Sequence, residues 1–117
     1  MLSYPIDLSL NGIQAEKTIV VVGYQAERVK ETFKDLPLQF VLQKEQLGTG
    51  HAVLQAIPYF QDFQGIVLVL CGDVPLVRAK TLRSFVDAFL ENESTLSVLT
   101  AVVGDPTGYG RIIRSPE

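Results

Sequence analysis

The residues best suited to chemistry are Gly72 and Asp73, which follow the apolar run from Ile66 to Cys71. No polar residue interrupts that run, so it is typical of a buried parallel strand that helices cover on both faces. Open α/β sheets bind ligands at the carboxyl ends of their strands, where this sequence places Asp73. A carboxylate there suits Mg²⁺, which takes oxygen ligands and usually only one or two from protein. Pro75 is predicted to end the strand ladder. The alternative is that Asp73 only shapes a turn.

A second candidate site is the polar loop that runs from Gln43 to Gly50. Gly48 and Gly50 allow the backbone to approach a ligand closely, and Thr49 is predicted to cap a helix that begins near His51. Free N–H groups at a helix start favour an anion or a carbonyl oxygen. The Gln43 amide both donates and accepts, so it could pair with the edge of a base. An ordinary capped loop is the alternative interpretation.

The third candidate is the glycine-containing loop Gly104–Arg111. Asp105 begins a turn with the proline that follows it, and Gly108 and Gly110 are predicted to supply unusual backbone conformations. Tyr109 and Arg111 could contact a sugar or a phosphate. A tight surface loop that exposes an aromatic side chain would explain the same residues.

His51 and Cys71 are the only histidine and the only cysteine in the chain. His51 has no carboxylate or serine at a recognisable spacing, so we interpret it as a residue of a helix start rather than as a base. Cys71 is predicted to be a small buried hydrophobe at the end of its strand, which argues against cysteine–histidine catalysis. A single cysteine excludes an internal disulfide and fits a reducing compartment.

Alternating strands and helices are predicted to position these three loops. Apolar runs predict the strands and apolar residues at spacings of three and four predict the helices. This order implies βαβ crossovers and a mostly parallel sheet, the α/β class. In chain order the predicted elements are a helix ending at 11–12, strand 18–22, helix 25–34, strand 38–42, a helix from about 51 to 57, strand 66–71, a helix over 82–89, strand 96–103 and a short strand at 112–113.

Composition limits the classes of function. A chain of 117 residues that is 47% hydrophobic fits one domain. The net charge of -3 and the absence of a basic block argue against a nucleic-acid partner. The longest apolar runs are about six residues, far below the roughly twenty that cross a bilayer, and no export signal follows Met1. We therefore expect a soluble, cytoplasmic protein with no membrane partner.

Three motifs together carry a resemblance to a known family. They are Leu47-Gly-Thr-Gly-His-Ala52, Gly72-Asp-Val-Pro-Leu76 and Asp105-Pro-Thr-Gly-Tyr-Gly-Arg-Ile112. In this order and separation they resemble the uridyltransferase domain of the GlmU family, the bifunctional bacterial UDP-N-acetylglucosamine pyrophosphorylases and glucosamine-1-phosphate acetyltransferases. The resemblance covers nearly the whole chain. It implies an incomplete Rossmann-like nucleotidyltransferase fold, a mostly parallel sheet with helices on both faces.

The resemblance also implies an activity and a set of site residues. The activity is Mg²⁺-dependent transfer in which N-acetylglucosamine 1-phosphate attacks the α-phosphorus of UTP, giving UDP-N-acetylglucosamine, a precursor of peptidoglycan and lipopolysaccharide, and pyrophosphate. Asp73 matches the metal carboxylate, and Cys71 and Gly72 line the nucleotide. Family members assemble as trimers through another domain, so a homo-oligomer is possible. The uridine contacts match Gln43, Gly48 and Thr49, and the backbone at Gly110 matches the contact with the amino sugar.

Some family segments have no counterpart in residues 1–117. They are a first strand with its Gly-x-Gly-Thr-Arg phosphate loop, a following lysine, a later glutamate and asparagines including the second metal ligand, and the hexapeptide repeats. We therefore expect residues 1–117 to be a single partial domain, the central part of a uridyltransferase domain, and to be inactive alone. The alternative is a non-catalytic α/β module that binds a nucleotide sugar or a partner subunit.

Overall fold

The computed structural model describes residues 1–74 and 76–114. Helices and a small parallel sheet alternate along the chain, and no helix in these two ranges is long and apolar enough to cross a membrane. The elements are α1 (Ser3–Asp7), a π-helical turn (Leu8–Gly12), β1 (Ile19–Val22), α2 (Ala26–Thr32), β2 (Gln39–Leu42), α3 (Thr49–Ala56), a 3₁₀ turn (Ile57–Phe60) and α4 (Ala79–Glu91). Residues 1–83 and 84–117 form two separate units.

The sheet of the first unit consists of β1 and β2, which pair in parallel. Ile19 lies opposite Gln39 and Val22 lies opposite Leu42. The β-branched run of β1 suits a pleated strand, and α2 supplies the crossover that a parallel pair requires. Both strands and the intervening helix lie where the sequence predicts them. The predicted α/β class with a parallel sheet is confirmed.

The core of the first unit forms around β1. Val20 and Val22 are buried on one face of the strand, against Ile6 of α1 and Ala26 of α2. Alternate residues of a strand face the same side, so this spacing of two places both valines in the same layer. The core is completed by the partly buried residues Leu2, Leu10, Val29, Phe33, Leu38 and Phe40.

The first helix and the π-helical turn after it are hydrogen-bonded to α4 and to the chain just before α4. Tyr4 Oη donates to the Val77 carbonyl at 3.0 Å, and Arg83 Nη2 donates to the Gly12 carbonyl at 2.5 Å. The bond from Arg83 satisfies one of the carbonyls that the end of a helix leaves without a partner. The helical prediction for the first twelve residues is therefore confirmed, with its last turn in π geometry.

The predicted central strand Ile66–Cys71 is wrong. This segment is irregular, with Val67 48% and Val69 53% exposed, and Cys71 is exposed rather than buried. A parallel strand must place its N–H and C=O groups on a neighbouring strand, and in the described ranges β1 pairs with β2 alone. An apolar run identifies a segment that gains from burial but does not supply that neighbour. Pro75, predicted to end the ladder, lies outside the described residues.

The second unit contains the end of α4 and irregular chain up to residue 114. The helix predicted over 82–89 is confirmed and ends at Glu91; the side-chain amide Nδ2 of Asn92, the next residue, donates to the Ala88 carbonyl at 2.7 Å. The strands predicted at 96–103 and 112–113 are wrong, since both segments are irregular, and Leu96 is 81% exposed. The reason is the same, because no ladder partner for them lies within the described part of this unit.

Candidate functional site

Gln43 lies at the carboxyl end of β2, where its backbone is fixed by β1. Its N–H donates to the Val22 carbonyl at 2.8 Å, one step beyond the last paired residues of the sheet. Side chains at this position stand at the edge where parallel sheets bind ligands. The prediction that Gln43 directly follows the strand 38–42 is confirmed, and its contact with a base stays a prediction.

The Gln43 side chain closes the loop that follows β2. Its Nε2 donates to the Gly48 carbonyl at 3.1 Å and lies 3.0 Å from His51 Nδ1. A backbone carbonyl can only accept, so the amide nitrogen, and not the oxygen, must face Gly48. These contacts bring Gln43, Gly48 and His51 together as one hydrogen-bonded group.

Gly48 connects this loop to α3 through a conformation that favours glycine. Its φ of 97° with ψ of 179° lies in a region that is essentially restricted to glycine. Gly48, and not Thr49, occupies the N-cap position, so the prediction that Thr49 caps a helix starting near His51 is wrong. The physical reason is that the helix begins at Thr49, which therefore lies inside the first turn and is exposed.

The same loop packs on the turn at the end of β1. A Cβ on Gly23 would lie 2.9 Å from Gln46 Nε2, so the end of the Gln46 side chain lies directly against the Gly23 backbone. A residue without a side chain therefore lets the loop approach the carboxyl end of β1 as well as that of β2. The two strand ends and the loop form a continuous edge in the first unit.

Asp73 lies in an exposed turn after the irregular 66–71 segment. The turn is closed by a long bond from the Val74 N–H to the Cys71 carbonyl, 3.4 Å, and Gly72 packs near Leu2. Across residues 1–74 and 76–114, no hydrogen bond or ion pair joins Asp73 to the Gln43 loop. The roles of Asp73, Cys71 and Gly72 stay predictions.

The described residues contain no group of three or more histidine, cysteine or acidic side chains that could hold a metal. Asp73 therefore offers one accessible carboxylate. A single carboxylate fits Mg²⁺ that completes its octahedron with waters and substrate phosphates, and does not fit a metal held by protein alone.

The loop of the second unit is organised by Asp105. Its Oδ1 accepts from Thr107 Oγ1 at 2.7 Å and from the Thr107 N–H at 3.0 Å. These bonds stabilise the charged carboxylate, so the pKa of Asp105 lies below its ordinary value. The bond from the Thr107 hydroxyl is the larger cause, and the bond from the Thr107 N–H is the smaller one. The Tyr109 N–H donates to the Pro106 carbonyl at 3.0 Å, which confirms the predicted turn.

Gly108 has a φ of 81°, which confirms the unusual conformation predicted there. The same prediction for Gly110 is wrong, because the turn is already closed at Tyr109 and Gly110 lies beyond it, outside the left-handed region. Gly110 lies in exposed, irregular chain, and its contact with an amino sugar stays a prediction.

An apolar cavity of about 350 Å³ lies beside α3 in the first unit. None of the residues predicted to bind substrate lines it. Its walls show instead that the 66–71 segment, through Val67, reaches the second half of α3. The lining residues are Val53, Ile57, Phe60, Gln61 and Val67.

The structure adds a contact that the sequence prediction missed. The amide of Gln55 lies 3.0 Å from His51 Nε2, so both nitrogens of the imidazole have amide neighbours. The sequence did contain a signal for this contact, because His51 and Gln55 are four residues apart and residues at that spacing are neighbours on a helix surface. The prediction that His51 belongs to a helix start is confirmed, since it is the third residue of α3.

Comparison with known proteins gives consistent matches along the chain. The nucleotidyl transferase family matches residues 1–117. The bifunctional protein GlmU of Gloeothece citriformis (strain PCC 7424) is 50% identical over 101 residues, which is 86% of this chain and 22% of that protein. GlmU of Geobacillus thermodenitrificans (strain NG80-2) is 43% identical over 117 residues, which is 100% of this chain and 25% of that protein.

The chain thus spans about a quarter of the length of these curated relatives. The resemblance to GlmU that the three motifs indicate is confirmed by these matches. The parallel sheet and helices agree with an incomplete α/β nucleotidyltransferase fold.

Proposed function

The chain belongs to the nucleotidyl transferase family, and we propose that it forms part of an N-acetylglucosamine-1-phosphate uridyltransferase. The proposed reaction joins UTP and N-acetylglucosamine 1-phosphate to give UDP-N-acetylglucosamine and pyrophosphate. A phosphate oxygen of the sugar phosphate attacks the α-phosphorus of UTP, and the bond to pyrophosphate breaks. The relatives are named as bifunctional GlmU proteins, which supports this choice within the family.

The observation that carries the proposal is the loop held at the carboxyl end of β2. Gln43 is fixed by its backbone to β1 and by its side chain to Gly48. A base and a ribose need a rigid polar edge with close backbone approach, which this loop offers. We assign the uridine to Gln43, Gly48 and Thr49.

The rest of the reaction centre is assigned from the family motifs. Cys71 and Gly72 would line the nucleotide, and the backbone at Gly110 would contact the amino sugar. Asp73 would hold Mg²⁺, which when bound neutralises charge on the phosphates. The chain's own residues orient two anions for an in-line displacement, and little covalent chemistry is required of them.

Calorimetric titration of the chain tests the uridine site. We expect UDP-N-acetylglucosamine to bind in the presence of Mg²⁺, and ADP-glucose to bind at least ten-fold more weakly. Gln43→Leu should weaken binding of the uridine ligand roughly ten-fold, because the hydrogen bond from this side chain to the base is lost. Equal binding of the two nucleotide sugars would contradict the assignment of the loop to uridine.

Asp73→Asn tests the metal carboxylate separately. We expect this variant to lose the increase in affinity that Mg²⁺ gives and to keep the affinity measured in EDTA. Asp35→Asn removes a carboxylate from another exposed turn and should change neither value. A Mg²⁺ effect that survives in Asp73→Asn would show that another group holds the ion. An assay for pyrophosphate released from UTP in the presence of the sugar phosphate distinguishes a transferase from a module that only binds the nucleotide sugar.

A further inference from the structure

The π-helical turn that packs on α4 ends in a chemically reactive pair of residues, Asn11 and Gly12. Asparagine is a thermolabile residue. When the backbone nitrogen of the next residue attacks its Cγ, ammonia leaves and a succinimide ring forms, and water then opens the ring to aspartate or isoaspartate. Glycine permits this attack most readily, because it has no side chain and its backbone turns freely. Asn11-Gly12 is therefore the pair in this chain best suited to spontaneous deamidation.

Close packing against α4 explains why glycine occupies position 12. A Cβ there would lie 2.8 Å from Leu8 Cδ1 and 3.3 Å from Ala79 Cβ. Ala79 is the first residue of α4, so the approach of α4 to the turn depends on the absence of a side chain. The reactive pair is thus a consequence of how the two segments pack.

Two side-chain hydrogen bonds hold the pair in an unreactive geometry. Asn11 Nδ2 donates to Asp7 Oδ1 at 2.6 Å, which draws the asparagine amide back toward the preceding turn. Arg83 Nη2 donates to the Gly12 carbonyl at 2.5 Å. Closing the succinimide ring requires rotation about the Cα–C bond of Asn11, which would carry Gly12 and its carbonyl away from Arg83. The bond from Arg83 must therefore break before the reaction can proceed.

The backbone of the turn opposes the reaction as well. Gly12 is the last residue of the π-helical turn, in which N–H groups point toward the carbonyl five residues earlier. The next N–H, of Ile13, follows this pattern and donates to the Leu8 carbonyl at 2.9 Å. The attacking nitrogen must lose its proton, and an N–H engaged along a helix loses it less readily. Since Asn11 is exposed to water, conformation and not burial is what protects it.

We propose that Asn11-Gly12 is a deamidation site that reacts only when the π-helical turn separates from Arg83. The rate is then that of the unprotected pair multiplied by the fraction of time for which this junction is open. The inference is independent of the proposed function. It assigns to the chain a covalent modification site whose rate reports a local opening of the fold.

The product of the reaction would weaken the junction that protects the site. Asn11 would lose its donor and become a carboxylate beside the carboxylate of Asp7, and like charges four residues apart on a helix repel each other. A negative charge in the last turn of a helix is also unfavourable. Isoaspartate adds a methylene group to the main chain before Gly12, which displaces the carbonyl that Arg83 binds. Deamidation therefore favours the open junction.

Incubation of the chain at neutral pH, followed by mass spectrometry of its tryptic peptide 1–17, tests the proposal. Asn11 should react at least about ten-fold more slowly in the native chain than in the isolated peptide 1–17. Arg83→Met should raise the rate in the chain roughly five-fold, the effect of one lost hydrogen bond. Equal rates in the native chain and the peptide would overturn the proposal, as would an unchanged rate in Arg83→Met.

Arg78→Met is the matched control for the loss of an exposed arginine next to α4. Val41→Ala controls for general unfolding, because Val41 is 6% exposed and lies outside the core cluster that contains Ile6 of α1. Both variants should deamidate within about two-fold of the wild-type rate. A rise in either control as large as in Arg83→Met would overturn the proposal, because loss of charge or global unfolding would then explain the reaction.

Asn92 provides an internal reference in every sample, since it is the other asparagine of the chain. It precedes Glu93, whose side chain obstructs the attacking nitrogen, so its rate should stay the same in wild type and Arg83→Met. A parallel rise at Asn92 and Asn11 in Arg83→Met would show that the effect is not local to the junction, and would refute the proposal.

Discussion

Two apolar runs of the first unit, Ile19–Val22 and Ile66–Cys71, have similar sequences and different structures. The first is a strand with two valines buried in the core, and the second is irregular and largely exposed. The difference lies in their neighbours. Ile19–Val22 has β2 beside it and α2 as a local crossover, whereas no described strand lies beside the second run.

This comparison shows what an apolar pattern measures. Burying an apolar side chain lowers the free energy wherever it occurs, but a strand also needs hydrogen-bond partners for its backbone. A βαβ unit brings its own partner within about twenty residues. A strand whose partner is more distant in sequence depends on loop closure as well.

The largest expected effect comes from truncating one valine in each run. Val22 is 5% exposed and Val69 is 53% exposed. Val22→Ala should lower the free energy of unfolding by about 2 kcal/mol, because burial is lost and a cavity remains. Val69→Ala should change it by less than about 0.5 kcal/mol. Urea denaturation followed by circular dichroism measures both values.

Equal costs at the two positions would break the comparison. They would show that the 66–71 run is buried as deeply as β1 in solution.

An effect of similar size is expected at the loop that follows β2. Gly48→Ala should cost about 1 to 3 kcal/mol, since φ of 97° strains any residue with a Cβ. Gly50→Ala, two residues later inside α3 and with open space around it, should be neutral or stabilise by up to about 1 kcal/mol. The same denaturation experiment gives both values, and a shared sign would contradict the assigned start of α3.

A smaller effect is expected at the Asp105 turn, which follows the irregular apolar segment 96–103 and is held by local hydrogen bonds. Its pKa is below the ordinary value of 3.8, so the turn is stabilised above that pH and loses the contribution as pH falls through the lowered value. Thr107→Val removes the hydroxyl donor and should move the pKa back toward 3.8. A carboxyl-carbon NMR titration measures the shift, and identical curves in both proteins would exclude the hydroxyl as its main cause.

The smallest effect is expected at Cys71, which ends the second run. Because the thiol is exposed, a maleimide should label the native chain at nearly the rate seen in urea. The chain has one cysteine, so every label reports this residue. If labelling of the native chain were slower by a hundred-fold or more, Cys71 would be buried in solution, as the sequence predicts.

The sequence was a reliable guide where structure is set by neighbours in the chain. The β1–α2–β2–α3 order, the start of the Asp105 turn and the position of Gln43 at a strand end all follow from periodicity and turn residues. The 66–71 and 96–103 segments could not be decided in this way, because a ladder requires a partner that their own composition does not encode. The Gln43 contact with His51 was missed because it joins a loop to a helix eight residues on.

The exposed 66–71 run also bears on how the protein behaves at high concentration. Six consecutive apolar residues without charge or proline form the type of stretch that seeds β-aggregates. A gatekeeper charge introduced at half-exposed Val69 would interrupt the stretch without entering the core. Solubility of this chain can therefore be adjusted at a position that contributes little to its folding.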